Sequence, residues 1–142
     1  MNTSILYDLR FTFDLDRKED MMRVKIMIER KFREDLTSEE WIDLDELRTT
    51  AMGQRGFISG ETLVNLENNR EIVMLSVWSS LDNWNAWATS PERGRLESEL
   101  APRLQEPPRI RPFVLGANER EEDFEKFVHS SEDAKGGFHF LK

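Results

Sequence analysis

The segment between Trp78 and Trp87 concentrates the side chains of this chain that are best suited to hold an organic molecule. It contains three tryptophans and two asparagines: Trp78, Asn83, Trp84, Asn85 and Trp87. A tryptophan offers a flat apolar ring that can form a pocket wall, together with an indole N–H that donates a hydrogen bond. The segment can therefore line an apolar pocket, although tryptophans on a short amphipathic helix are also typical of a core.

Motifs for several other kinds of chemistry are missing from the sequence. There is no cysteine, which rules out disulfides, zinc–thiolate sites and a cysteine nucleophile. No glycine-rich phosphate loop or calcium-loop pattern is present, and a serine triad would need a histidine. The two histidines, His129 and His139, lie close to the C-terminus. Acidic clusters such as 119–123 fall on predicted helix surfaces, so we predict solvated faces and no metal site.

Length and charge favour a single soluble globular domain. The 142 residues are 34% charged and 38% hydrophobic, enough for one core with extensions. A net charge of −8 argues against a nucleic-acid partner. The N-terminal segment carries charges where a signal peptide is apolar, and the longest apolar run, Ile72–Leu75, is far below the roughly 20 residues of a spanning helix. We therefore expect a cytoplasmic protein with no membrane partner.

Two strands and a helix are predicted before the aromatic segment. Ile5–Phe13 alternates apolar and polar side chains, as a half-buried strand does. Met22–Phe32 alternates similarly, and we favour a strand, although its apolar residues also fit helical spacing. Thr37 and Glu40 have the spacing of a capping box. The helix that they begin is expected to bury one side and to end near Gly53; that side carries Trp41, Leu44, Leu47 and Ala51.

A hairpin and two further helices should position the tryptophans. Strand Phe57–Leu66, a turn at Glu67–Arg70 and strand Ile72–Trp78 follow one another. The second strand is apolar at nearly every position, so both of its faces should be covered. Ser79 or Ser80 should cap the aromatic helix, and Ser90–Pro91 is a standard helix start. Pro102 should end that second helix. A last strand at Ile110–Leu115 contains Pro112, which indicates an edge position or a bulge.

This order predicts an α+β fold, a ferredoxin-like βαββαβ antiparallel sheet with helices on one face. The other face needs a cover. Two sheets packed face to face in a twofold homodimer would supply it and form a dimeric α+β barrel; a lid made of the chain's own ends is the alternative. We expect an N-terminal extension with an added strand at 1–21, the barrel domain at 22–116, and an acidic extension at 117–142 that packs across the partner subunit.

Several motifs together are typical of one family: IERKF in the first barrel strand, AMGQRGFISGETL before and within the next, Val77–Trp78 at a strand end, SSLDNWNAWATSPE, and the late PPRIRPF. Residues from Val24 to Leu115, about two thirds of the chain, resemble the antibiotic biosynthesis monooxygenase (ABM) domain of the dimeric α+β barrel superfamily. Similar domains include cofactor-free oxygenases of aromatic polyketides, quinol monooxygenases and haem-degrading oxygenases. The resemblance therefore implies the fold more closely than it implies a reaction.

Of the three site residues of the haem-degrading members, this chain has only one. Their asparagine, tryptophan and histidine positions hold Glu29, Trp87 and Glu97 here. A carboxylate is a poor substitute for the neutral imidazole that binds haem iron. We therefore expect no cofactor, and a haem-binding oxygenase is the third hypothesis.

The resemblance to the cofactor-free members implies a site with a base, hydrogen-bond donors and aromatic walls. Such a site holds a substrate anion while it reacts with dioxygen. The candidate base is Glu29 or Glu97, if burial raises its pKa toward neutrality. The candidate pocket residues are Trp78, Trp84, Trp87 and Asn83. Each carboxylate has a plainer interpretation, since Glu97 can be a solvated helix residue and Glu29 can leave the sheet into water.

The sequence therefore predicts a cofactor-independent monooxygenase that acts on a small aromatic or quinol-like compound between helices and sheet. The alternative is a non-catalytic small-molecule-binding or regulatory dimer with the same fold. A cavity filled by Trp84 and Trp87, with no enclosed polar group, would favour that alternative.

Overall fold

Four strands and three helices make up residues 22–115, the part of the chain that a computed structural model describes. In chain order they are β1 (Val24–Lys31), α1 (Ser38–Met52), β2 (Phe57–Val64), β3 (Glu71–Trp78), α2 (Leu81–Ala88), α3 (Pro91–Leu100) and β4 (Arg109–Val114). A 3-10 turn, Ala101–Arg103, follows α3. All strand pairs are antiparallel in the order β2-β3-β1-β4, which is the predicted βαββαβ sheet. The predicted strand Ile5–Phe13 and the acidic extension lie outside the described residues.

β1 follows a strict alternation of burial along its length. Val24, Ile26, Ile28 and Arg30 are buried on the side of the helices, and the residues between them are only partly buried. The predicted strand is therefore confirmed and the competing helix is wrong. The alternation also carries an arginine into the core, at the position where the apolar pattern would place a fourth hydrophobic residue.

α1 begins at the predicted capping box. The Thr37 hydroxyl accepts a hydrogen bond from the Glu39 backbone N–H at 3.3 Å, and the Glu40 carboxylate accepts one from the Thr37 backbone N–H at 2.6 Å. Leu44 and Leu47 are buried as predicted, whereas Trp41 is 40% exposed. Trp41 borders an open groove beside β2, so the predicted apolar stripe is wrong at its first member.

Glu40 links the start of α1 to the 3-10 turn after α3, and its substitution tests the α1 cap. Its second carboxylate oxygen accepts from the Arg103 guanidinium at 2.6 Å, and its side chain is 11% exposed. The Thr37 backbone hydrogen bond, followed by that of Arg103, lowers the pKa of Glu40 from 4.5 to about 2. We expect Glu40→Gln to lower the free energy of unfolding at neutral pH by about 2 kcal/mol.

The pH dependence of that loss has a defined sign. A folded-state pKa below the unfolded value stabilises the fold above pH 4.5, and this contribution disappears as the pH falls toward about 2. Urea unfolding across this range should therefore bring wild type and Glu40→Gln together at acid pH. Glu39→Gln, an exposed first-turn neighbour, is the control. A difference that did not change with pH would contradict the assignment.

α2 and α3 begin at hydroxyl caps, which orient the aromatic helix over the sheet. The Ser80 hydroxyl accepts from the Asn83 backbone N–H, and the Ser90 hydroxyl accepts from the Arg93 backbone N–H, both at 3.2 Å. Of the two predicted caps of the aromatic helix, Ser80 is the one used. α3 ends at Leu100 just before Pro102, as predicted. No helix of residues 22–115 combines the length and the apolar character needed to cross a bilayer.

The two faces of the sheet are covered differently. Ile72 and Trp78 of β3 are fully buried beneath the helices. Val73, Leu75 and Val77 of the same strand point to the helix-free face and are only partly buried. Within residues 22–115 only the helix-facing side of β3 is covered, so a cover on its second face stays a prediction. β4, which carries Pro112, is an edge strand as predicted.

Candidate functional site

A cavity of about 50 Å³ lies between the helices and the sheet. Aromatic rings of β2, β3 and α2 and two buried arginines are among the residues that line it: Phe57, Trp78, Trp84, Trp87, Arg30 and Arg93. The exposed residues Gly60 and Glu61 of β2 form its outer rim. The structure thus brings the three predicted tryptophans together around one cavity.

A larger groove of about 640 Å³ lies on the outer side of α1, beside Trp41 and Ile42. Ile42 is 64% exposed, and the charged residues of the groove, Asp45 and Arg48, form an ordinary surface ion pair at 2.6 Å. The groove encloses no buried charged side chain. The smaller cavity, which is lined by two buried guanidinium groups, is therefore the better candidate for chemistry.

The aromatic wall of the cavity is a chain of edge-on contacts centred on Trp78. Its ring centroid lies 5.4 Å from Phe57 and 5.8 Å from Trp84, with interplanar angles of 88° and 65°. Trp78 Nε1 donates to the Ser76 hydroxyl at 2.9 Å. Trp84 Nε1 is buried and has no hydrogen-bond acceptor among the described residues. A rigid wall with one unused donor is consistent with a ligand that brings an acceptor.

Behind this wall lies a buried charge cluster of Arg30, Arg93 and Glu97. Arg30 is 1% exposed and Arg93 is 2% exposed. Both guanidinium groups donate to the same carboxylate oxygen, Glu97 Oε2, at 2.6 Å and 2.5 Å. Arg93 also lies over the Trp84 ring, 5.4 Å from its centroid. Two cations share one anion, so the cluster carries a net charge of +1 inside the protein.

The hydrogen bonds of the cluster are incomplete. In the part of the chain that the structure describes, Arg30 Nε has no partner, and Arg30 Nη1 reaches only the Met74 sulfur at 3.2 Å, a weak acceptor. Arg93 Nη1 makes a long contact of 3.4 Å to the Ala88 carbonyl oxygen. Glu97 Oε1 is also unpaired within the described residues. Buried polar atoms normally find partners, so this many unused donors beside a cavity marks a functional candidate.

Glu97 does not have the raised pKa that a catalytic base in this place would need. Burial acts to raise its pKa, but the charges of Arg30 and Arg93 and the Arg30 hydrogen bond outweigh it, so the pKa lies below its ordinary value. The expectation of a raised pKa is wrong for Glu97, because the sequence did not reveal the two guanidinium groups. The plainer interpretation as a solvated helix residue is also wrong, since its side chain is 18% exposed. The catalytic role itself stays a prediction.

Glu29 and Asn83 lie outside the cavity. Glu29 points to the helix-free face, where its carboxylate is 27% exposed and 4.0 Å from Arg109 Nε. Asn83 Nδ2 donates to the Ser79 hydroxyl at 2.7 Å and packs against Gly56. Gly56 has φ = 85°, and a Cβ there would lie 2.3 Å from Asn83 Nδ2. Asn83 therefore fixes the start of α2 against the turn before β2.

Residues 22–115 do not suit a haem-iron site or a carboxylate metal site. There is no histidine in residues 22–115, and Glu97 is held by two arginines, so these residues do not suit a haem-iron ligand set. Carboxylates of Asp43, Glu46 and Glu99 lie within 4.8 Å of one another at the surface. Arg95 and Arg103 already pair with them, which is typical of a solvated face.

A family comparison decides the wider class. Residues 23–96 match the family model for Antibiotic biosynthesis monooxygenase. This chain belongs to the ABM family. The ABM domain therefore contains the three cavity tryptophans and the two buried cavity arginines, and it includes most of the described residues. The resemblance drawn from the sequence motifs is confirmed, while the expected domain limits of 22 and 116 stay predictions.

Solved structures of other proteins show the same fold. A conserved protein from Methanosarcina mazei Go1 superposes with a TM-score of 0.62 at 15% identity, covering 69% of this chain and 97% of its own. Rv0793 from Mycobacterium tuberculosis gives 0.61 at 16%, covering 69% and 99%. SnoaB, a cofactor-independent oxygenase from Streptomyces nogalater, gives 0.63 at 14%, covering 70% and 99%. No curated protein matches the chain. These likenesses establish the ferredoxin-like α+β fold.

Proposed function

We propose that this ABM-family protein is a cofactor-independent monooxygenase that acts on a small aromatic or quinol-like compound in the cavity between helices and sheet. The observation that carries the proposal is an aromatic cavity with two buried guanidinium groups in its wall. The similar fold of SnoaB, which is a cofactor-independent oxygenase, supports it. The proposal needs no resident cofactor, because the substrate itself supplies the electrons.

The chemistry begins with a substrate that readily forms a carbanion or phenolate. Loss of a proton gives an anion that transfers electrons to dioxygen, and a C–O bond forms. For a methylene group that becomes a carbonyl, two C–H bonds are lost, one oxygen atom enters the product and the other leaves as water. Arg30 and Arg93 stabilise the negative charge electrostatically, and the rings of Trp78 and Trp84 exclude water.

The size of the cavity limits how such a substrate sits. A cavity of about 150 Å³ is needed to hold benzene in a protein interior, and this one measures about 50 Å³. The polar end of a substrate fits against Arg30 and Trp84, and its ring extends toward the rim at Gly60 and Glu61. Entry of a whole ring requires the lining side chains to move.

Oxygen uptake with a panel of anthrones and quinols tests the proposal. We expect uptake with at least one of them, and Trp84→Phe should lower kcat/KM by about tenfold, because it keeps a ring but removes the indole donor. Trp41→Phe is the matched control, since Trp41 is exposed on α1 and remote from the cavity. Equal effects of the two substitutions, or no uptake across the panel, would contradict the proposal.

The candidate bases are tested in the same assay. Glu29→Gln should abolish uptake if Glu29 removes the proton, and Glu97→Gln should do so if Glu97 does. Glu97 has a lowered pKa, and Glu29 points to the helix-free face of the sheet, away from the cavity, so we expect uptake to survive both substitutions. Uptake that survives both substitutions would leave the substrate's own acidity as the source of the anion.

The non-catalytic alternative gains no support from the cavity. It would be favoured by rings that fill the space with no polar group enclosed, whereas Arg30 and Arg93 line the cavity. Binding without oxygen uptake would nevertheless establish it. We also propose that the protein is a homodimer. A cytoplasmic location stays a prediction.

A further inference from the structure

We infer that the cavity selects an aromatic ligand that is already ionised, and that Arg30 and Arg93 bind its phenolate or enolate oxygen. This inference rests on the proposed function, because it names the substrate class of the same cavity. The selection depends on the charge of the ligand, so a neutral aromatic of the same shape should bind much more weakly.

The balance of charge around the cavity supports an anionic ligand. Arg30, Arg48 and Arg93 line the cavity, and Glu61 is the one acidic residue among the lining groups. Glu61 is exposed at the rim and Arg48 is half-buried, so these two charges are largely screened by water. The deep end holds the two buried arginines with the single carboxylate of Glu97 behind them. Among residues 22–115, one positive charge therefore remains uncompensated where water is scarce.

The unused hydrogen-bond donors point to the same ligand. Arg30 Nε and Trp84 Nε1 are buried without an acceptor among residues 22–115, and both residues line the cavity. Within the same residues, Arg30 Nη1 has only the sulfur of Met74. An ionised oxygen accepts several hydrogen bonds and brings the missing negative charge, whereas a neutral ether or hydrocarbon brings neither. Of the described atoms in the cluster, Glu97 Oε1 is the only unpaired acceptor, and Glu97 is not a lining residue.

The absence of a suitable base among the lining residues gives the third argument. Glu97 is held as an anion between two guanidinium groups, and Glu29 lies on the opposite face of the sheet. A ligand that ionises near neutral pH needs no strong base, because two adjacent positive charges lower its own pKa in the site. Arg30 and Arg93 are thus specificity-determining residues that favour acidic phenols and enols.

A matched pair of probes tests the inference on the full chain. The anionic probe is 4-nitrophenol, whose phenolate absorbs visible light and whose ionisation falls near neutral pH; 4-nitroanisole is its neutral counterpart. At a pH below the free pKa of nitrophenol, adding protein should increase the phenolate band. Nitroanisole should bind at least about tenfold more weakly.

Two substitutions are expected to change phenolate affinity in opposite directions, which gives a second test. Arg30→Gln leaves a neutral Arg93–Glu97 pair, and should weaken phenolate binding by about tenfold or more while leaving nitroanisole unchanged. Glu97→Gln removes the only anion of the cluster and should tighten phenolate binding. Arg95→Gln is the matched control, because it removes the same charge from an exposed site on α3, where the side chain is 56% exposed.

Several results would overturn the inference. These are equal affinity for the two probes, no binding of either, weaker phenolate binding by Glu97→Gln, or a parallel loss of both probes in Arg30→Gln. If a variant does not fold, the comparison of the two probes on the wild-type chain still decides. Preference for phenolate without oxygen uptake would keep the ligand class and reject the monooxygenase. Uptake equally fast with substrates that stay un-ionised until the protein removes a proton would do the reverse.

Discussion

Replacing Glu97 by alanine is expected to lower the free energy of unfolding by about 3–5 kcal/mol, because it leaves two buried guanidinium groups without their shared carboxylate. Arg30 and Arg93 each donate to Glu97 Oε2, at 2.6 Å and 2.5 Å, and neither has another strong acceptor among the described residues. Urea or thermal unfolding measures the loss. Burial already lowers the pKa of Arg93, and the charge of Arg30 adds to that effect, so removing the anion makes an unfavourable site worse.

Glu99→Ala is the matched control for that loss. Glu99 also pairs with an arginine one turn away on α3, at 3.2 Å, but the two side chains are 56% and 44% exposed. Such exposed pairs contribute about 0.5 kcal/mol or less. Losses of similar size for Glu97→Ala and Glu99→Ala would contradict the description of the cluster as buried.

The same cluster gives a pH dependence with a defined sign. The pKa of Glu97 is lowered in the folded state, so its contribution to stability is present above the ordinary carboxyl pKa of 4.5 and is lost as the pH falls through the folded value. Wild type and Glu97→Ala should therefore converge at acid pH. Replacing all three members by apolar residues should cost far less than Glu97→Ala alone, since no charge then stays buried.

The fold was predictable because its signals are local. A capping box begins α1, serine caps begin α2 and α3, and the hairpin turn lies at Glu67–Arg70, between β2 and β3. β1 was ambiguous, since its apolar residues fit both periods, and the structure resolved it as a strand. Trp41 was placed in the core wrongly, because helical spacing identifies one side of a helix without showing how far the neighbouring strand extends over it.

The candidate site was only half predictable. The three tryptophans were identifiable by residue type, whereas the sequence assigned no role to Arg30. The signal was present: Arg30 continues the inward alternation of Val24, Ile26 and Ile28. A long side chain carries its charge far from its own backbone, so its meeting with Arg93 and Glu97 depends on the packing of α3 over β1. Sequence spacing cannot supply such a contact between residues that are distant along the chain.

The dimer prediction concerns the helix-free face of the sheet. Val73, Leu75 and Val77 form an apolar stripe along β3, and Met27 of β1 lies opposite Leu75. These residues are only partly buried within one chain, and two edge strands add Leu63 and Phe113, which are 46% and 43% exposed. We expect light scattering at micromolar concentration to report twice the chain mass of 16.8 kDa.

Leu75→Glu should convert that dimer to monomers, raising the dissociation constant by roughly a hundredfold or more, because a dimer would bury an unpaired carboxylate at the centre of its interface. Leu66→Glu is the control, since Leu66 is fully exposed in the β2–β3 turn. A wild-type mass of 16.8 kDa would refute the barrel.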